Sequence, residues 1–564
     1  MLRRLLVPLV VLVFALTVPT AASAAPMLSR AQINRLVFIQ QGSALAEVYS
    51  TTSVPTGFHI SAGQAMKIAE HTLRMRALHR RMHPLLVVPF VYRAQDPYWY
   101  VVFAYRGDIE GDVSVSKTGN VLGAWTGQQA RAVWTHGGWA DVLTNWMIYG
   151  AASLLFVLAF FDPRRLWSLR HLDALAVLSF LVSYLLLSGA HLEAAVWAAY
   201  PPMIYLLLRL LSIGFGRNND RGGRIAPLLG LRTLIVGLPL VLAARIVISL
   251  LGHQEIDVGF ESVIGASRVI HHLPIYYPDV NHGDTYGPIT YLAYVPFTLI
   301  WPWSNPTSTP YAANFAAVFF DLMTVVGLIF LGRRFARGRE GTRLGLLFAW
   351  AWAACPFSII GLTVHTNDAL VSMLSVIALL AISSPAVTGA VLGLAAAAKF
   401  SPAGLLPLLA APRQRGRKGA AVCVGAFLVV VAAAILSWLP PQGLGYFWQR
   451  TLGFQLTRAD VFSPWQLHPS LHPLQILIEV LAVGLVAVVA FLPRRRTLVQ
   501  VAALAGAVTI AVQMPANHWY YYYIMWFLPF AVVALMGLER AAEPVTETLA
   551  TEYVPEPQPV LAGA

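Results

Sequence analysis

Residues 310–331 read PYAANFAAVFFDLMTVVGLIFL, and residues 344–363 read LGLLFAWAWAACPFSIIGLT. Between them stands GRRFARGREGTR, which carries Arg333, Arg334, Arg337, Arg339 and Arg343. About 20 consecutive apolar residues cross a bilayer core, and basic residues collect in cytoplasmic loops. The stretch therefore reads as two membrane spans joined by an inner, cationic turn. The same texture continues on both sides. Apolar segments recur near 145–162, 171–190, 194–213, 229–251, 367–383, 386–399, 402–412, 419–439, 473–492, 497–514 and 518–538. Segments 386–399 and 402–412 are short and flank Lys399-Phe400-Ser401-Pro402, as broken or half-spanning helices would.

Composition says the same of the whole chain. Of 564 residues 57% are apolar and 12% charged, against roughly 45–50% and 25% in average soluble domains. So few charges cannot cover a soluble protein of this size, which excludes a soluble enzyme, a disordered chain and a fibrous repeat. The net charge of +13 does not describe a nucleic-acid binder. With residue 143 outside, the inner loops and their helix ends hold 21 basic residues; the outer loops after residue 251 hold Arg268, Lys399, Arg450 and Arg458. That asymmetry is a topology signal. Cys355 and Cys423 both sit in apolar runs, so neither a disulfide framework nor a zinc spacing is present. The fold class expected is a polytopic α-helical membrane protein of about 11–13 spans.

The N-terminal part differs. Residues 1–24 read as a signal peptide: Arg3 and Arg4, an apolar run from Leu5 to Val18, then Ala22-Ser23-Ala24. A retained first anchor is the alternative. Residues 25–143 hold no run long enough to span. Ser61 is placed to cap a helix, Tyr98–Tyr105 (YWYVVFAY) is aromatic and β-branched, and the alternation from Asp112 breaks at Thr118-Gly119-Asn120, as in a hairpin. Helix, strand and strand pair ending in TGNVLGAWTG resemble the PepSY-like fold, which implies a small extracytoplasmic α+β module that binds or regulates. Residues 144–228 read as three accessory spans, 229–540 as the main membrane domain, and 541–564 as a disordered cytoplasmic tail.

Chemistry gathers in the outer loops. The longest, 252–309, holds Glu255, Asp257, Glu261, Asp279 and Asp284 with His253, His271, His272 and His282. Its apolar segment Tyr291–Trp303 reads as a helix along the outer surface, because counting it as a span would invert every later basic loop. Arg245 and Asp321 fall inside the spans before and after this loop. Charges there are costly unless paired, so the two are expected to pair. His282, Asp279 and Asp284 could hold a divalent metal, although no tight ligand spacing compels one.

The order Ile256-Asp257-Val258, Leu273-Pro-Ile-Tyr276, Thr285-Tyr-Gly-Pro288, Thr366-Asn367-Asp368, Lys399-Phe-Ser-Pro402 and His518-Trp-Tyr-Tyr-Tyr-Tyr523 resembles the GT-C superfamily of membrane glycosyltransferases. It is closest to the polyprenol-phosphate-mannose-dependent family 87. The resemblance covers about residues 229–538 and implies sugar transfer outside the cytoplasm from a polyprenyl-phosphate donor to a glycolipid or cell-envelope glycan. It implies Asp257 as catalytic base, with Asp284 as a second candidate. A departing phosphate needs cations, for which Lys399, Arg450, Arg458 and His518 are the candidates. His282, Tyr286, His365, Asp368, Trp465 and His468 are candidates for acceptor or sugar contact. No cofactor is assigned beyond that optional divalent metal, and the partners implied are membrane lipids, the lipid-linked donor and the acceptor. Two other readings stay open: a lipid-linked sugar flippase or other transporter, and a PepSY-type binding or regulatory protein without catalysis. The three added spans and the N-terminal module depart from the family pattern and leave the acceptor open.

Overall fold

The computed structural model describes residues 45–48, 50–83, 85–92, 97–105, 108–126, 130, 143, 145–163, 168–188, 192–216, 229–252, 256–276, 284–302, 310–457 and 462–537. The expected signal peptide and C-terminal tail lie outside these residues, as do His282, Asp279, Arg458 and the side chain of Asp257.

The N-terminal unit is a five-stranded antiparallel meander, β1 (Leu45–Glu47), β2 (Leu86–Tyr92), β3 (Tyr98–Tyr105), β4 (Asp108–Ser116) and β5 (Val121–Thr126), with helices α1 (Ala62–Glu70) and α2 (Leu73–Arg81) between β1 and β2. Ser61 caps α1 in a reciprocal capping box: its Oγ accepts from the Gln64 amide at 3.3 Å, and Gln64 Oε1 accepts from the Ser61 amide at 2.8 Å. The β4–β5 hairpin turns at Gly119, whose φ of +99° is a conformation that favours glycine. Strand alternation then sends Trp99, Val101, Phe103, Val113 and Val115 into one cluster with Ala62, Ala65, Ala69, Met75 and Leu78 of the two helices. The expected helix, strand and hairpin are all present.

Helices follow: α3 (Trp146–Phe160), α4 (Leu169–Leu178), α5 (Phe180–Ser188), α6 (Leu192–Ala198), α7 (Tyr200–Phe215), α8 (Leu231–Gly252), α9 (Asp257–Ile270), α10 (Pro288–Ile300), α11 (Tyr311–Gly332), α12 (Gly338–Ala354), α13 (Pro356–Thr363), α14 (Asp368–Leu380), α15 (Pro385–Ala398), α16 (Pro412–Ser437), α17 (His472–Val488), α18 (Leu498–Gln513) and α19 (Ile524–Gly537). Among the described residues, six helical segments are long and apolar enough to cross a membrane: Leu169–Leu187, Glu193–Phe215, Leu231–Leu250, Tyr311–Gly332, Pro412–Ser437 and Pro469–Val488. The protein is thus a mostly helical, multi-pass membrane protein. Six more apolar helices run 10–17 residues, and one of them is α10, expected along the surface; the expected count of 11–13 is reached only when the other five and the bent pair Gly338–Ala354 and Pro356–Thr363 are included. Segment 402–412 forms no span; it is a 3-10 turn (Ser401–Leu405) and a four-residue helix (Leu406–Leu409) interrupted by Pro402 and Pro407.

Burial sorts the helices. From Leu344 through Ala354, then all of α13, and along α18 and α19, nearly every residue is buried. A helix apolar all round belongs in such a core. α17 lies at the periphery and exposes Leu477, Val480, Leu481 and Val483, a surface suited to lipid tails.

The expected span 344–363 is not continuous. It bends by 60° between α12 and α13, because Pro356 drives the preceding Cys355 into extended backbone (φ −67°, ψ 124°). A broken helix leaves carbonyls without intrahelical donors, and Arg245 of α8 serves one of them, Ala353, while also reaching a carbonyl of α13. Its Nη1 donates to the Ala353 carbonyl at 2.9 Å and its Nη2 to the Ser358 carbonyl at 3.1 Å. Asp321 of α11 balances the charge, accepting from Arg245 Nη2 and from Trp352 Nε1, each at 2.9 Å. The expected pairing of Arg245 with Asp321 is present, fully buried. Removing one member strands a buried charge, so Arg245→Met or Asp321→Leu alone is expected to cost about 3–5 kcal/mol. The double substitution should cost clearly less than the sum, read as melting temperatures of the purified protein; simple additivity would show the two uncoupled.

Candidate active site

Three chain segments meet at one end of the helical core. The first is the start of α9. Here the Ile256 amide donates to the Val364 carbonyl at 3.4 Å, and a Cβ on Gly259 would lie 3.1 Å from the His365 carbonyl. The second is the turn Val364–Asn367, in which His365 has a left-handed φ of 53° and Asn367 Nδ2 donates to Ser262 Oγ at 3.1 Å. The α9 start is thereby docked on the turn that leads into Asp368. Asp257 is the first residue of α9, set in the chain between Ile256 and Val258.

The third segment is Thr285-Tyr-Gly-Pro288, seated on the C-terminal end of α15. The Gly287 amide and Thr290 Oγ1 both donate to the Ala398 carbonyl, at 3.0 and 2.9 Å. A Cβ at 287 would stand 2.0 Å from the Ala397 carbonyl oxygen, so only glycine permits this approach. Gly287→Ala should destabilise the protein by more than about 2 kcal/mol, seen as a lowered melting temperature; an unchanged value would mean that the approach is not tight.

Seating that segment puts Tyr286 beside Lys399, the first residue after α15. Lys399 is buried, with its ammonium 5.2 Å from the Tyr286 ring centre, 5.3 Å from Trp526 and 6.0 Å from Tyr523. Cations favour such ring faces. Lys399 Nζ also donates to Asp368 Oδ1 in a short ion pair. Asp368 Oδ1 further accepts from Trp526 Nε1 at 2.8 Å, and Oδ2 accepts from Thr366 Oγ1. Asp368 starts α14 but its carboxylate is spent on these side chains, not on capping alone. Lys399 does not snorkel to the surface. Both ions are drawn inward and held.

Their shared front is a narrow pocket lined by Ile256 and Val258, the Asp368–Lys399 pair, Tyr286, Gln455, His518, and Tyr520, Tyr522 and Tyr523. His518 is half-buried, 5.8 Å from the Tyr523 ring and 5.9 Å from Phe462, ring centre to ring centre. A buried cation, a carboxylate and a wall of aromatic rings suit a ligand with an anionic group and sugar-like faces.

Asp284 and Arg450 pair beside this lining. Arg450 Nε donates to Asp284 Oδ2 at 2.6 Å and Nη2 to Oδ1 at 2.5 Å, a bidentate fork that ties the two loops across 166 residues of chain. Arg450 belongs to a single π-helical turn, Gln449–Gly453. Behind it, Tyr276 donates its hydroxyl proton to the Tyr286 carbonyl at 2.9 Å and packs edge-on against Phe447. Burial, reinforced by the Asp284 charge, pushes the Tyr276 hydroxyl well above its ordinary pKa. It therefore stays a neutral donor.

Of the residues singled out in the sequence, Tyr286, Asp368, Lys399 and His518 come together in the pocket, and Asp284 with Arg450 stand next to it. Others lie elsewhere. His365 is buried behind the turn, its Nε2 3.1 Å from Ser249 Oγ. Trp465 is buried, donates to the Met514 carbonyl at 3.0 Å and meets Tyr200 of α7 edge-on. His468 meets Glu193 at 3.0 Å, beside Trp197 of α6. Trp465 and His468 therefore anchor the accessory helices, with no place in the lining. Asp284 is the described member of the three suggested metal ligands. Sequence reasoning missed Gln455 and Trp526. Trp526 sits in an apolar span and reads as packing, and Gln455 belongs to no pattern.

Fold and site together define a multi-pass membrane protein with a buried, charged and aromatic pocket at one end of its helical core. Residues 285–519 match the family model of glycosyltransferase family 87, which supports a membrane glycosyltransferase of the GT-C type. The matched segment contains Tyr286, Asp368, Lys399, Arg450 and His518, and begins beyond Asp257. No curated protein and no solved structure matches the chain.

Proposed function

We propose that the protein transfers a sugar, a pentose or hexose of mannose-like type, from a polyprenyl-phosphate donor to a glycolipid or cell-envelope glycan on the outer side of the cell membrane. The observation that carries this reading is the Asp368–Lys399 pair facing an aromatic pocket beside the main-chain position of Asp257. In this reading Lys399, aided by His518, holds the donor phosphate and offsets the charge it gains as the glycosidic bond breaks. Asp257 takes the proton of the attacking acceptor hydroxyl. Asp368 holds Lys399 in place, and the tyrosines carry the sugar faces. The Asp284–Arg450 fork ties two loops together beside the pocket, and Arg450 and Arg458 serve as further cations for the donor phosphate. The N-terminal unit, which resembles a PepSY module, recruits acceptor or partner, and the spans of residues 144–228 support that side.

The test is direct. Purified protein in lipid nanodiscs is incubated with labelled polyprenyl-phosphate mannose, arabinose or glucose and a membrane glycolipid extract. One donor should yield labelled product, lost in Asp257→Asn. Absence of transfer from all three, with no binding of polyprenyl phosphate, would overturn the reading.

A further inference from the structure

The opposite ends of α8 and α11 hold a second site, unrelated to the pocket above. A basin with about 910 Å³ of open space lies against Leu231 at the start of α8 and the turn between α11 and α12, with Arg333, Arg337, Arg339 and Thr342 in its wall. Both α8 and α11 are 22 residues long, about 33 Å at 1.5 Å per residue, so this basin lies a bilayer core away from the Asp368–Lys399 pocket.

The arginines around it are not equivalent. Arg334 is committed to the fold, donating to Ser383 Oγ at 3.0 Å and to the Leu380 carbonyl at 2.8 Å. Arg337 and Arg339 are exposed and have no ion pair among the described residues, and Arg333 rests 5.1 Å from the Phe330 ring centre. Thr342 donates to the Gly338 carbonyl at 3.1 Å, which leaves its oxygen free to accept. The single acid of this turn, Glu340, is outside the lining. Directly along the helices from the basin, Phe330, Ile235 and Val236 are 47%, 53% and 64% exposed. Guanidinium groups thus sit at the rim of an apolar surface that faces lipid tails.

Cationic groups above exposed apolar helix faces match one chemistry: a phosphodiester headgroup whose chains run down the helices. We infer that this basin binds an anionic membrane phospholipid, its phosphate between Arg333, Arg337 and Arg339 and its chains along Ile235, Val236 and Phe330. Arginines that serve topology alone need not converge on one basin, whereas these three do.

The experiment titrates the purified full-length protein, stripped of lipid in neutral detergent, with fluorescent phosphatidylglycerol, and with phosphatidylcholine as neutral control. Saturable binding that favours phosphatidylglycerol is expected. With a contribution of roughly fivefold for each arginine near the membrane surface, Arg333→Gln/Arg337→Gln/Arg339→Gln should weaken it about a hundredfold. The exposed set Arg413→Gln/Arg417→Gln/Lys418→Gln, in another basic loop, should leave it intact. All three side chains being exposed, the first variant should keep the parent melting temperature; a variant that does not is replaced by the single Arg339→Gln, expected to lose about fivefold. Equal loss in the second triple variant would overturn the site in favour of diffuse charge. Displacement by millimolar inorganic phosphate would overturn the lipid in favour of a free anion, and equal binding of both lipids would overturn the inference altogether.

Discussion

Replacing Lys399 by methionine is expected to weaken binding of the donor about a hundredfold and to lower stability at the same time. The first effect follows from the proposed partner: the phosphate is already present in the ground state, so losing its cation appears in donor affinity and KM more than in kcat. The second follows from Asp368, which stays buried with its charge and, among the described residues, keeps Trp526 and Thr366 as side-chain donors. Stranding one member of a buried pair costs about 3–5 kcal/mol. The double variant Lys399→Met/Asp368→Asn separates the two effects. It should recover much of the melting temperature and none of the donor affinity. Recovery of both would show that the pair only holds the pocket together, and would remove Lys399 from the chemistry.

Asp257→Asn should abolish transfer, with a fall of about 10²–10⁴-fold in kcat, while donor binding stays within about twofold. The amide keeps the shape of the carboxylate and cannot take the hydroxyl proton. Asp284→Asn is expected to be milder, about tenfold, because both of its oxygens are engaged by Arg450 and its loss loosens two loops without removing the base. Single-turnover measurements with preloaded donor distinguish these outcomes. Near-normal turnover of Asp257→Asn beside a dead Asp284→Asn would move the base to Asp284.

How much of this was legible beforehand differs between fold and site. Arg245 and Asp321 could be paired on paper, since two lone charges in apolar spans have few other ways to be satisfied. The other task of Arg245, bridging the break by binding the Ala353 and Ser358 carbonyls, was not visible, because the 60° bend depends on how α12 and α13 pack. The motif residues of the pocket were likewise named one by one. Their partnerships were not: Arg450, expected at the donor phosphate, is bound to Asp284, and Lys399 holds Asp368.

The sequence by itself determined the membrane class, the alternation of apolar segments with basic turns, the hairpin at Gly119 and the cap at Ser61. Each of these follows from residues close together in the chain: an apolar run must leave water, a capping side chain reaches three residues ahead, and a turn needs a left-handed residue. Tertiary structure alone decided which polar groups face one another. Asp284 and Arg450 are 166 residues apart and Lys399 and Asp368 are 31 apart, so their pairing is fixed by how helices pack and not by local propensity. The same packing withdrew Trp465 and His468 from the pocket, brought Gln455 to its lining and set Trp526 against the Asp368 carboxylate. Side chains of equal chemical type have equal claims on a site until the fold sets their distances.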